Sequence, residues 1–138
     1  MQHEAFFRKE LVIELRKVAE MISKEKNPER KLYCFSAAFG ITSRTFRYVF
    51  SSEVLLADLV LMAGYQQVME RIQMCKTGDL TVLLTDEIFQ KLSQGLWDLA
   101  QAFEEGKSIQ KPLEQILTAT FSVTGPGNYL KEKGMLTL

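Results

Sequence analysis

The stretch Phe35-Ser36-Ala37-Ala38-Phe39-Gly40-Ile41-Thr42-Ser43-Arg44-Thr45-Phe46-Arg47-Tyr48-Val49-Phe50-Ser51-Ser52-Glu53 decides how this chain folds. Two structures compete for it. Gly40, followed by Thr42 and Ser43, can separate two short helices, because glycine and hydroxyl residues favour turns and caps. Equally, Leu32, Phe35, Phe39, Thr42, Phe46 and Val49 recur at steps of three and four. That spacing makes one apolar seam along a single helix over residues 28–49.

The first alternative is a helix-turn-helix. Its first helix needs a small residue where the second crosses it, then a glycine that turns the chain, then an aliphatic anchor. Ser36, Gly40 and Ile41 stand at those steps. Thr42 would cap the second helix, and Phe46 and Phe50 would hold it to the core. Thr42, Ser43, Arg44, Thr45, Arg47 and Tyr48 form the candidate DNA-binding set. Arginine suits guanine edges and phosphates, and hydroxyls suit phosphates.

Outward from this stretch the pattern is helical throughout. Over residues 3–25, Phe7, Leu11, Leu15, Val18 and Ile22 make an apolar stripe between charges. Asn27-Pro28 is an N-cap followed by a residue suited to the first helical position. Ser51-Ser52-Glu53 signals another start, and residues 53–74 should follow as a helix. That helix is apolar on most of its circumference as far as Tyr65, as expected of a central helix or a subunit contact. Leu80 to Leu84 look strand-like but have no partner strand, and are expected to connect and pack. Thr85-Asp86-Glu87 opens a helix over residues 86–105 with Ile88, Leu92, Leu96, Leu99 and Phe103 inward. Gly106 suits its end. A last helix over 109–123 carries Leu113, Ile116, Leu117 and Phe121, and Gly125-Pro126-Gly127 stops it. The tail over residues 128–138 is expected to pack or fray.

The bulk numbers agree with one soluble domain over residues 1–138. The chain is 46% hydrophobic and 25% charged, ordinary for a globular protein. With a helix-turn-helix it would subdivide into 1–52, the helix-turn-helix region, and 53–138, the helical core and dimerisation region. The longest apolar run, residues 54–64, contains Asp58 and is too short to cross a bilayer. The start lacks the layout of a secretory leader. Cys34 and Cys75 are the only cysteines and have no metal-binding spacing. Reduced thiols and a cytoplasmic location follow as expectations. Formal net charge is zero, but residues 1–50 hold ten Lys/Arg against six Glu, a net +4. A basic front suits a nucleic-acid-facing half.

Little else points to chemistry. His3 is the only histidine, so no metal and no Cys–His nucleophile are expected. The glycines at 125 and 127 follow a helix, where a phosphate cradle would precede one. Asp58 either meets an arginine (Arg44, Arg47 or Arg71) or points to solvent near its helix start. No second acid accompanies it, so an enzyme is the least favoured class and no cofactor is expected.

On these residues the chain resembles the DNA-binding half of TetR-type transcriptional repressors over about residues 10–72. The family's second helix follows a pattern close to Gly-Val-Ser-x-x-Thr-Leu-Tyr-x-x-Phe-x-Ser-Lys. Gly40, Ile41, Thr42, Thr45, Phe46, Phe50 and Ser52 match it in order. Leu15, Val18, Met21 and Ile22 fall on the apolar positions of the preceding helix. The chain departs at Arg44, Arg47 and Glu53, where the family has glycine, tyrosine and lysine. The resemblance implies a sequence-specific regulator of double-stranded DNA, with any small-molecule effector pocket among the last three helices, and the apolar excess over residues 54–65 implies a homodimer. The expected fold is all-α, five to six helices in a bundle or orthogonal array. Without the turn at Gly40, the same sequence specifies a non-catalytic helical homo-oligomer or protein-interaction module.

Overall fold

Asn27 and Pro28 set the first corner of the molecule. The Asn27 carboxamide oxygen accepts from the backbone N–H of Glu29 at 2.9 Å and of Arg30 at 3.2 Å, with Pro28 in the first turn. Two otherwise unpaired donors are thereby satisfied. The computed structural model describes residues 2–74 and 84–122. Among them lie five helices: α1 (Gln2–Lys24), α2 (Pro28–Tyr48), α3 (Ser52–Met74), α4 (Asp86–Glu105) and α5 (Gln110–Ser122). No strand occurs among the described residues, and the fold is all-α. Cys75, the residues 80–83 of the strand-like run, the Gly125-Pro126-Gly127 stop and the tail lie outside the described residues.

The helices close into a ring. α1 packs between α2 and α4, α4 continues to α5, α5 to α3, and α3 returns to α2. The buried side chains form one cluster that draws on all five helices. Of the expected stripe of α1, Leu11, Leu15, Val18 and Ile22 are buried, with Ala19 beside them, and Phe7 is only partly so. In α4, Ile88, Leu92, Leu96 and Leu99 are buried as expected, while Phe103 is only partly so. Each such aliphatic side chain stabilises the fold by about 1.5–3 kcal/mol. Polar ties fix the α1–α4 pair. Arg16 donates to Glu104 at 3.0 Å and Gln101 at 2.6 Å, and its guanidinium lies 5.3 Å from the Trp97 ring centre.

Glycine sets two features of this ring. Gly106 ends α4 at φ 67°, a left-handed conformation that favours a residue without Cβ. At Gly95 of α4, an added Cβ would lie 2.7 Å from Cγ1 of Ile116 on α5. The two helices approach there only because no side chain intervenes.

Of the two readings of residues 28–49, the unbroken helix is the one formed. α2 runs helical from Pro28 to Tyr48 straight through Gly40. The turn that a helix-turn-helix needs is not formed here: residues 39–43 are helical throughout. Gly40 has no positive φ, and it faces open space. The seam is also rotated from the expected one. Leu32, Phe35, Ala38, Thr42, Thr45 and Val49 are buried, whereas Phe39 and Phe46 are half-buried flanks. Small residues at 38, 42 and 45 leave room for the neighbouring helices to approach.

Candidate functional site

The six residues expected to meet DNA do not share a surface. Thr42 and Thr45 are both fully buried. A hydroxyl inside a helix survives burial when it finds an acceptor. Thr45 Oγ1 donates to the carbonyl of Ile41 at 2.8 Å. Thr42 Oγ1 lies 2.9 Å from the carbonyl of Phe39 and 2.8 Å from Oδ1 of Asp58 on α3. Its single proton serves one of these acceptors at a time. Among the described residues Asp58 forms no ion pair with Arg44, Arg47 or Arg71, and it keeps part of its surface in solvent. It is half-buried and accepts from Thr42 across the α2–α3 contact.

The remaining four lie towards α1 or solvent. Arg44 is ion-paired with Glu14 of α1, both side chains partly buried. Tyr48 is half exposed, but its ring stacks on Phe7 of α1 with centroids 4.0 Å apart and planes 5° from parallel. Ser43 is half-buried. Arg47 is exposed. A helix that reads a groove must offer several side chains to base edges at once. Here two are inside, and two brace α2 against α1.

Other candidate chemistry is similarly placed. Cys34 is buried, and loss of hydration, with Glu25 adding, pushes its thiol up from the usual value. Such a thiol is a poor nucleophile. Among the described residues no group of three or more His, Cys, Asp or Glu could hold a metal ion. Nor is any helix among them long and apolar enough to cross a membrane. An open groove of about 580 Å³ lies near the last three helices. It is walled by Leu56, Phe103, Leu113 and Leu117, with Arg8 and Lys107 at its edge. Both cations already have acids: Arg8 bonds Glu4, and Lys107 bonds Glu105.

No known protein family, curated protein or solved structure matches this chain. The site is therefore defined by its own surface.

The most distinctive part of that surface is the N-terminal half of α3. Val54, Ala57, Leu61, Gly64 and Val68 point into the ring. The opposite side carries Leu55, Leu56 and Leu59, exposed by 37%, 48% and 47%. Phe50, in the link before α3, is 85% exposed and lies T-shaped to the Phe46 ring, centroids 5.9 Å apart. The helix-turn-helix alternative has Phe50 on the core; the structure puts it outside, and Val49 takes the buried position at the end of α2, as the single-helix seam has it. The excess of apolar residues over 54–65 was the available signal for this surface. It did not say which of them remain uncovered.

Proposed function

We propose that this chain is a non-catalytic helical interaction module that works by self-association through the outer face of α3. The exposure of Leu55, Leu56 and Leu59 on one rigid helix, beside Phe50, carries this reading. Exposed apolar residues scattered singly are ordinary. A contiguous group on a regular element marks a contact surface. The groups that catalysis would recruit are already engaged, Asp58 by Thr42 and Arg44 by Glu14. The DNA-binding reading draws no support from α2, because Thr42 and Thr45 lie inside.

Sedimentation over a range of concentrations tests the proposal. The parent chain should show a mass that rises with concentration. The double variant Leu55→Glu, Leu56→Glu should weaken association at least tenfold, about 1.4 kcal/mol, with an unchanged helical circular dichroism spectrum. A parent chain that stays monomeric throughout contradicts the reading. So does salt-sensitive duplex DNA binding that is lost on Arg44→Ala, Arg47→Ala, which would restore the regulator.

A further inference from the structure

We infer that α3 pairs with α3 of a second copy of this chain, antiparallel, about a two-fold axis beside Leu59; this rests on the self-association proposed above. The outer stripe of α3 runs Ser52, Leu55, Leu59, Met62, Gln66, at steps of three, four, three and four. That is the spacing of a helix–helix seam. Ser52, Leu55, Leu59 and Gln66 are exposed, Met62 is half-buried, and exposed Leu56 and Ala63 flank the line. Read outward from Leu59 in either direction, the stripe gives an apolar layer and then a polar end.

A two-fold dimer needs such a self-complementary patch, in which each position meets its reflected counterpart. With the axis at Leu59, Leu59 meets its own copy. Leu55 meets Ala63 and Leu56 meets Met62, bulky against smaller or flexible side chains. Ser52 meets Gln66, polar against polar. The parallel alternative stacks Glu70, four residues past Gln66 on the same stripe, on its own copy, like charges that oppose pairing. The antiparallel one separates them and opposes the two helix dipoles. Charge also disfavours an anionic membrane as the occupant. α3 carries Glu53, Asp58 and Glu70 against the single cation Arg71, whereas lipid-binding faces are rich in Lys and Arg. A standard interface covers about 800 Å² on each partner. A stripe of four turns flanked by Phe50 is smaller, so the dimer should be concentration-dependent and not permanent.

Single-cysteine variants of the full chain, in a Cys34→Ala, Cys75→Ala background, locate the axis under copper–phenanthroline and oxygen. Leu59→Cys should give a disulfide-linked dimer. Ser52→Cys alone should not, because its two copies would lie roughly 21 Å apart along the pair at 1.5 Å per residue. Mixed with Gln66→Cys it should cross-link. Ser52→Cys linking to itself overturns the antiparallel pairing while leaving self-association standing. A dimer by sedimentation that none of these positions traps has the same meaning. A monomeric parent, including one that captures only a foreign amphipathic helix, overturns both. Should the cysteine-free background fail to fold, Leu59→Glu in the otherwise native chain decides. It should lower the sedimenting mass to that of a monomer, and an unchanged dimer overturns the inference.

Discussion

Phe35→Ala should lower the unfolding free energy by about 3–5 kcal/mol, the loss usual for truncating a buried phenylalanine. Phe35 is 1% exposed, near the middle of α2. Its ring centre lies 6.4 Å from that of Tyr65 on α3, at the contact that closes the helical ring. The void left behind sits between helices held by other contacts. It can therefore collapse only partly, and the cavity cost adds to the lost transfer energy. Denaturant unfolding should show a lower midpoint with an unchanged slope. A loss below about 1 kcal/mol would mean that Phe35 does not occupy the core.

Gly95→Val should cost about 2–3 kcal/mol, by overpacking instead of by a void. The added Cβ alone would meet Ile116 Cγ1 at 2.7 Å, and the valine methyls enlarge the conflict. Cγ1 is close to the Ile116 backbone, so rotating the side chain's far end does not relieve it. The clash outweighs the few tenths of a kcal/mol that valine recovers over glycine in helix propensity. Because the conflict is local to one pair, combining Gly95→Val with Ile116→Ala should be less damaging than the sum of the two single changes. Strict additivity in the double variant would place the strain elsewhere.

The parts of this fold that are legible in the sequence are those written in local chemistry. Asn27-Pro28 and Thr85-Asp86-Glu87 announce helix starts because a side-chain acceptor beside free backbone donors acts without tertiary help. Most of the stripe of α1 and of that of α4 follows from period alone. The path through Gly40 is different. Glycine, threonine and serine are tolerated inside a helix or at a break, so residues 40–43 suit both structures. The outcome depends on distant groups: Asp58, sixteen residues on, accepts from Thr42, and Glu14, thirty residues back, pairs with Arg44. Neither partnership has a signature in the sequence. The same limit explains the rotated seam of α2. Hydrophobicity favours Phe39 and Phe46 inward, but close approach of helices favours Ala38 and Thr45. It also explains α3, whose apolar excess is plain from 54–65 while the split between Leu61 inside and Leu59 outside is set by where α2 and α5 lie.

α2 is one rod through Gly40, and that continuity places Thr42 and Thr45 inside. Thermal and denaturant unfolding of Gly40→Ala tests it most directly. Gly40 has no positive φ, is exposed, and has nothing within 4 Å of an added Cβ. In a continuous helix, alanine there should raise stability by about 0.5–1 kcal/mol. A fall in stability of similar or greater size would show that residue 40 needs glycine's freedom to turn, and would contradict the account.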